Sequence, residues 1–532
     1  MSGFGADGWG NLLWSGVTHS LAYPLVEPRY PLSYNTLSLS QLEIVMQLPR
    51  RLNGMEDDGP QATQTIAWAA DALCSLMTSY GYRLVDTPLL EETDLLLRKS
   101  GGELASKMYT FTDPGGHRVS LRPEFTSSIV RAYLQGMNGG GPLPVRWSYL
   151  GPVFRYEPEV TEHRQFTQVG AELIGASGPW ADAEVMALAV NGLSRVGITG
   201  HRLVVGHLGY VAALLDSLDL SDRARLFLLA SVGTLSQGAD GVRQVRQRAE
   251  GLGLLSGQST PAGTESAVTS EAALALLEQY VQASESSIIG VRTPQEIRDR
   301  FLRKQRSAQD NGRFETAMNL LAKVAQTRGD PKDVLTKARQ STRSDQARLE
   351  LDRLDETLEL LSLYDTGVPV FLDFGLARGI AYYTGIVFEV DHPATAVLDR
   401  IMDRHPAAKD VSLGGGGRYD GLIQALGGAE PTPAMGFAWN LERVLAAART
   451  NPTVHIPPQT QPKAFLVRPS YPGAETAAFR EAERLRAQGK VVQLELDGRS
   501  LKECILLAQA QELAYVITVD TDGKTRRRKV PE

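Results

Sequence analysis

The residues best suited to chemistry lie in one stretch, 151–175, which reads GPVFRYEPEVTEHRQFTQVGAELIG. Strand-forming residues on either side of a turn-prone Glu-Pro pair predict two strands joined by a charged loop. Period-two alternation then puts Gln168, Gly170 and Glu172 on one polar face. If the strands pair antiparallel, Arg155 lies within reach, and this face can hold an ammonium group beside an anion. An ordinary salt-bridged sheet face accounts for these residues equally well.

The composition is that of a globular protein with several domains. The chain has 532 residues, 42% of them hydrophobic, which predicts two or three domains. A formal net charge of -6 argues against a protein that coats nucleic acid. Two distant cysteines, Cys74 and Cys504, and eight unclustered histidines predict no metal site. The sequence has no apolar run that could span a membrane and no secretory signal pattern, so we expect a cytoplasmic protein.

Shifts in composition divide the chain into six segments. A polar stretch rich in Ser and Gln at 255–345 marks an inserted subdomain, and PPQTQP marks a linker. We predict an irregular leader at 1–40, a core in two parts at 41–200 and 366–450, a mostly helical insertion at 201–365, a linker at 451–462, and a small α/β domain with a parallel sheet at 463–532. The closing KTRRRK run is expected to be a solvated terminus, and Pro123 is expected to open a helix.

Five motifs carry a resemblance to a known family. They are LRPEFT (121–126), FRYE with QFTQVGAELIG (154–157 and 165–175), RGIAYYTGIVFE (378–389), GGRYDGL and PAMGFAWNLER (433–443). In these motifs and their order, roughly residues 50–450 resemble class II aminoacyl-tRNA synthetases, specifically the histidyl-tRNA synthetase branch. The resemblance implies an α+β fold, with a class II antiparallel sheet, flanking helices, a helical insertion and a shortened C-terminal domain similar to the family's anticodon-binding domain.

The resemblance implies a pocket for histidine. The family positions that hold this amino acid correspond to Glu124, Thr126, Gln168, Glu172, Tyr382 and Tyr383. The chemistry suits the ligand, because a carboxylate and an amide can bind an ammonium group while Glu172 and a tyrosine hydroxyl can pair with both imidazole nitrogens. A polar sheet network without a ligand is the alternative interpretation.

The resemblance also implies an ATP site. Arg155, Glu157 and Arg443 correspond to positions that bind ATP, and Arg378 corresponds to the catalytic arginine of the branch, which stabilises charge while the adenylate forms. Five residues depart from the family pattern: Glu162 in the motif-two loop, Ala381 in place of an acid, Thr167 in place of a histidine, and Phe125 and Asn440 in place of glycines. A carboxylate near a triphosphate is unfavourable, and the bulky Trp439 adjoins Asn440.

An intact histidine pocket beside an altered ATP site favours a histidine-sensing regulatory subunit of ATP phosphoribosyltransferase, without aminoacylation activity. That interpretation implies the catalytic subunit as partner, histidine as ligand and no tightly bound cofactor. The alternative is an active histidine–tRNA ligase that uses ATP, Mg2+ and tRNA, with Arg378 catalytic. A third possibility is a tRNA-binding adaptor without small-molecule chemistry. Because class II catalytic domains pair through motif one, the resemblance implies a homodimer or a hetero-oligomer.

Overall fold

The computed structural model describes residues 50–98, 101–156, 163–255, 312–377, 382–392, 412–450 and 464–531. The predicted leader at 1–40 and linker at 451–462 lie outside the described residues, as does much of the Ser- and Gln-rich stretch. The predicted domain boundaries stay a prediction.

The strands form three sheets in the described part of the chain. In chain order they are β1 Arg83–Leu84, β2 Leu90–Glu92, β3 Thr110–Thr112, β4 Arg118–Leu121, β5 Val145–Phe154, β6 Gln165–Ile174, β7 Arg202–His207, β8 Arg328–Gly329, β9 Val370–Asp373, β10 Ile386–Asp391, β11 Gly414–Arg418, β12 Ala434–Asn440, β13 Phe465–Pro469, β14 Val492–Leu494, β15 Tyr515–Val519 and β16 Thr525–Lys529. The largest sheet has the order β1-β5-β6-β12-β11-β10-β7-β9-β8, and most of its neighbours pair antiparallel. The predicted antiparallel sheet is therefore confirmed.

Helices flank these sheets. In chain order they are α1 Pro60–Ser79, α2 Thr93–Leu97, α3 Gly101–Ser106, α4 Thr126–Leu134, α5 Pro179–Arg195, α6 Leu208–Asp216, α7 Asp222–Ala230, α8 Val232–Leu235, α9 Ala239–Gly251, α10 at 312–324, α11 Pro331–Ser341, α12 Asp345–Ser362, α13 Leu422–Ala425, α14 Leu441–Thr450, α15 Glu475–Ala487 and α16 Leu501–Ala510. Within 201–365, most described elements are helical, while β7 and β8 belong to the large sheet. In the described ranges, no helix combines the length and the apolarity needed to cross a membrane.

The two faces of the large sheet pack against different cores because side chains alternate along each strand. Val169, Ala171 and Leu173 of β6 lie in the larger core, which also contains apolar residues of α1, α5, α12 and α14. Phe166 and Ile174 point to the opposite face and pack in a second core with residues of α4 and several aromatic rings. This second face, which also carries the polar residues of β6, is called the site face below.

The C-terminal segment forms a separate four-stranded sheet in the order β14-β13-β15-β16. Strands β13, β14 and β15 are parallel, as predicted, and α15 and α16 connect them. The KTRRRK run differs from the prediction, because Thr525–Lys529 pairs antiparallel with β15 as an edge strand. Every residue of this strand is exposed, as is typical of a charged edge strand that resists pairing with other chains.

Candidate active site

Strand β6 positions the polar side chains of the candidate site. It pairs antiparallel with β5 on one side and with β12 on the other, so its centre is held by hydrogen bonds from both neighbours. Gln168 and Glu172 share the site face with Gly170, as the alternation predicted. Gly170 has no room for a side chain, because a Cβ there would overlap the Phe437 carbonyl oxygen and the Tyr149 hydroxyl.

The Glu172 carboxylate is fully buried and is surrounded by hydroxyl donors. Thr126 donates to Oε1 over 2.7 Å and Tyr149 donates to the same oxygen over 3.2 Å. Tyr419 donates to Oε2 over 2.5 Å. Burial raises the pKa of the Glu172 carboxyl from 4.5 to about 8, and the three hydroxyl groups oppose this only in part. A ligand that offers a positive charge or an N–H donor would stabilise the ionised carboxylate.

Gln168 presents an acceptor without a partner. Its Oε1 atom is buried and has no hydrogen-bond partner among the described residues, although the side chain is 8% exposed. Such an atom costs about 1–3 kcal/mol and is rare in folded proteins. Gln168 lies on the site face, two residues beyond Phe166. Because its amide oxygen is an acceptor without a partner among the described residues, it is suited to accept a hydrogen bond from an ammonium group.

The LRPEFT motif forms the entry into α4. This helix begins at Thr126, so the predicted start at Pro123 is wrong. The buried Glu124 carboxylate accepts hydrogen bonds from the backbone N–H groups of Thr126, over 2.5 Å, and Ser127, over 3.0 Å. These are first-turn groups that have no partner within the helix, and a carboxylate suits the positive helix end. Glu124 and Glu172 are thus linked through Thr126.

Tyr382, Tyr383 and Tyr419 form an aromatic cluster, and Tyr419 joins it to the Glu172 carboxylate. Tyr382 packs edge-on against Tyr383, with ring centres 5.0 Å apart, and against Tyr419, with ring centres 5.8 Å apart. Burial raises the pKa of the Tyr382 and Tyr419 hydroxyls well above their usual value, so both stay protonated and can act as donors. We did not predict Tyr419 as a site residue. Its position directly after a glycine-rich strand, within GGRYDGL, was the available signal.

An ion network built on the buried Arg418–Asp182 pair holds Tyr419 in place. Arg418 donates to the Asp182 carboxylate through Nε, over 2.9 Å, and through Nη2, and it donates to Asp420 over 2.9 Å. Asp420 also accepts a hydrogen bond from the backbone N–H of Ala434. The network fixes the end of β11 against α5 and the start of β12, and so positions the residue between Arg418 and Asp420.

The two arginines predicted to bind ATP lie near the Gln165 end of β6. Arg155 follows β5 directly, donates through Nε to the Pro123 carbonyl oxygen over 2.9 Å, and has its guanidinium 5.2 Å from the Phe166 ring centre. Arg443 lies in the first turn of α14, which follows β12, and Asn440 pairs with Gln168 across the β12–β6 ladder. Arg155 and Arg443 therefore come shortly after the two strands that flank β6.

Two features that seemed unfavourable for ATP have structural explanations. The Asn440 Oδ1 atom accepts a hydrogen bond from the Arg443 backbone N–H over 3.0 Å, as a helix N-cap does. Trp439 lies on the other face of β12, where it is fully buried in the larger core and donates through Nε1 to the Ala189 carbonyl oxygen. Its bulk therefore points away from the site face. Glu157, Glu162, Arg378 and Ala381 lie outside the described residues.

The antiparallel sheet, its flanking helices and the polar site face define a class II aminoacyl-tRNA synthetase-like fold. A family model described as histidyl-tRNA synthetase matches residues 54–284 and 294–444. The chain belongs to this family. The resemblance to the histidyl-tRNA synthetase family that was drawn from the motifs is confirmed. Membership of this family does not by itself distinguish a synthetase from a regulatory paralogue.

Curated relatives and solved structures agree with this assignment. A histidine–tRNA ligase from Pyrococcus furiosus is 30% identical over 86% of this chain and 87% of its own length. One from Pyrococcus horikoshii is 29% identical over 88% of this chain and 90% of its own. A structure described as an ATP phosphoribosyltransferase regulatory subunit/histidyl-tRNA synthetase from Bacillus halodurans has a TM-score of 0.59 at 21% identity, and covers 89% of this chain and 100% of its own. The S. aureus histidyl-tRNA synthetase has a TM-score of 0.55 at 23% identity, with coverage of 91% and 97%. At these identities the two structures show the shared fold.

Proposed function

We propose that this protein is a histidine–tRNA ligase, the alternative in our sequence analysis. The observation that carries the proposal is the arrangement on β6, where the unpartnered Gln168 oxygen and the buried Glu172 carboxylate lie on one face and Arg155 lies near its Gln165 end. The curated relatives named histidine–tRNA ligase align over almost the whole chain, which supports this choice over the regulatory subunit.

In the proposed reaction, β6 binds histidine. Gln168 accepts a hydrogen bond from the ammonium group, with Glu124 nearby as a negative charge, and Glu172 accepts one from an imidazole N–H. Tyr382 and Tyr383 enclose the ring. A site that pairs with both ring nitrogens discriminates strongly against amino acids of similar shape that lack them, because the polar groups of the site would stay unpaired.

ATP binds at the Gln165 end of β6. Arg155 and Arg443 supply positive charge for its phosphates, and Arg378 is the expected catalytic arginine. A histidine carboxylate oxygen forms a bond to the α-phosphorus while the bond to the leaving pyrophosphate breaks, which gives histidyl-adenylate. A terminal tRNA hydroxyl then attacks the histidyl carbonyl carbon, and AMP leaves. Guanidinium groups aimed at the developing phosphate charge favour the first step.

A regulatory subunit of ATP phosphoribosyltransferase is the second candidate. It is favoured by the substitutions at Glu162 and Ala381 and by the description of the Bacillus halodurans structure. That function would require histidine to bind two conformations with different affinity, and it would require the catalytic subunit as partner. A homodimer accompanies the ligase proposal, in keeping with the pairing of class II domains.

The experiment that separates the two candidates is ATP–pyrophosphate exchange with the purified full chain, measured with and without histidine. The ligase proposal predicts exchange that depends on histidine. Absence of exchange, together with saturable histidine binding by calorimetry, would overturn it in favour of the regulatory subunit.

A further inference from the structure

Strand β6 extends beyond its neighbour β12 at one end. The last residue of β12, Asn440, pairs with Gln168, although β6 continues for three more residues in that direction. The register would put Leu441 opposite Thr167, but the chain turns into α14 at Leu441. Strand β12 therefore ends before it can supply a backbone acceptor for the Thr167 N–H group.

A carboxylate from α14 takes the place of that acceptor. Both oxygens of Glu442 lie 2.9 Å from the Thr167 nitrogen and accept its N–H group. Burial raises the pKa of the Glu442 carboxyl, and the N–H and hydroxyl groups of Thr167 oppose this by stabilising the ionised form. Thr167, which stands where the family usually carries histidine, thus provides two donors to one carboxylate.

Two contacts fix the first turn of α14. The Asn440 Oδ1 atom accepts the Arg443 N–H group over 3.0 Å, which sets where the helix begins. Glu442 ties the same turn to β6. Strand β6 itself pairs with β5 along its whole length. Loss of the Glu442 contact should therefore move the start of α14 rather than β6.

The same contact links the two halves of the candidate site. Glu442 directly precedes Arg443, and Thr167 directly precedes Gln168. One carboxylate thus joins the helix that carries an arginine expected to bind ATP to the strand that carries an amide expected to bind histidine. Because groups that bind reacting molecules must be held to within about 0.5 Å, the anchor of the helix matters for the arginine.

We propose that Glu442 is a positioning residue for ATP: it binds the Thr167 N–H group, holds the first turn of α14 against β6, and so places Arg443 for the phosphates. This inference rests on the proposed function, because the role of Arg443 in ATP binding does. As a negative charge, Glu442 would weaken ATP binding by direct repulsion. Its benefit to ATP therefore passes through Arg443.

The test measures the KM for ATP and the KM for histidine in pyrophosphate exchange by the full chain. Glu442→Ala removes the acceptor, so we expect the KM for ATP to rise about tenfold, because a displaced binding group loses much of its effect. The KM for histidine should stay close to the wild-type value, since β6 keeps its pairing with β5.

Glu442→Gln separates positioning from charge. It loses the same charge as Glu442→Ala but keeps an amide oxygen that can accept the Thr167 N–H group. Its KM for ATP should therefore stay close to that of the wild type, whereas direct repulsion would lower the KM in both variants alike. Glu442→Asp keeps the charge but shortens the side chain, so it should raise the KM for ATP, and it replaces Glu442→Ala if that protein does not fold.

A double variant tests whether the effect passes through Arg443. In a protein that already carries Arg443→Ala, the further change Glu442→Ala should raise the KM for ATP no more, because the arginine that Glu442 places is gone. An equal rise in the presence and absence of Arg443 would mean that Glu442 acts on ATP by another route.

Glu495→Ala is the matched control, because Glu495 also accepts backbone N–H groups, those of Asp497 and Gly498, but lies in the C-terminal segment. It should lower thermal stability and leave both KM values unchanged. Equal KM values for ATP in folded Glu442→Gln protein and in Glu442→Ala or Glu442→Asp protein would overturn the inference, as would additive effects in the double variant, while the proposed function would stand. If the wild type catalyses no exchange, the proposed function fails and the inference fails with it.

Discussion

Gly436 lies directly opposite Glu172 across the β12–β6 ladder, and the carboxylate Oε2 atom occupies the space that a side chain at position 436 would need. A glycine is therefore required there for the buried carboxylate to keep its position. Gly436→Ala should displace the Glu172 side chain from its three hydroxyl donors. Loss of one charged hydrogen bond to the ligand would raise the dissociation constant for histidine about tenfold or more.

Gly251→Ala is the control for this substitution, because a Cβ at the end of α9 meets no atom within 4 Å. Its histidine affinity should equal that of the wild type in the same calorimetric titration. Wild-type affinity in a folded Gly436→Ala protein would show that Glu172 does not contact the ligand.

The pKa of Glu172 predicts how stability depends on pH. The folded protein keeps a proton on this carboxyl up to about pH 8, whereas the unfolded chain releases it near 4.5. Raising the pH between these values therefore favours unfolding, by up to about 1.4 kcal/mol per pH unit from this group.

The substitution Glu172→Gln removes the titration of this carboxyl. The free energy of unfolding of the wild type, relative to the variant, should fall between pH 5 and pH 8 in urea titrations. A constant difference across that range would mean that Glu172 is already ionised in the folded protein.

The Arg418–Asp182 pair predicts a large loss of stability when it is broken. Both side chains are buried, so Arg418→Met leaves the Asp182 carboxylate without its guanidinium. We expect a loss of about 3–5 kcal/mol in chemical denaturation. The double variant Arg418→Met with Asp182→Leu should recover part of this loss, because no buried charge then lacks a partner. Equal losses in the single and double variants would contradict this account.

Arg443 and Trp439 give opposite predictions although they are close in sequence. Arg443→Ala should raise the KM for ATP in pyrophosphate exchange about tenfold or more, because a charged contact to phosphate is lost, and should leave histidine binding unchanged. Trp439→Phe should lower the melting temperature and leave the KM for ATP unchanged, since the indole lies in the larger core. A raised KM for ATP in Trp439→Phe would place that ring at the nucleotide.

The sequence predicts the site face well because alternation along a strand is a local property. The positions of Gln168 and Glu172 on one face follow from their spacing on β6. The position of Tyr419 does not, because its contact with Glu172 joins residues 247 positions apart in sequence and depends on how β11 and β12 pair.

The start of α4 and strand β16 also differ from what the local sequence predicts. Pro123 is compatible with a first helical turn, but Glu124 uses its carboxylate to accept the N–H groups of Thr126 and Ser127, so α4 begins later. The KTRRRK run has the composition of a solvated terminus, and pairing with β15 makes it a strand. In both cases a tertiary or capping contact outweighs local preference.

The most direct test of the central claim is transfer of labelled histidine to tRNA by the full chain, with ATP and Mg2+ present. The account predicts acid-precipitable histidyl-tRNA that forms with wild-type protein and is strongly reduced by Gly436→Ala at low histidine concentration. No labelled tRNA from a folded protein that binds histidine, with tRNA from several sources, would contradict the assignment as a histidine–tRNA ligase.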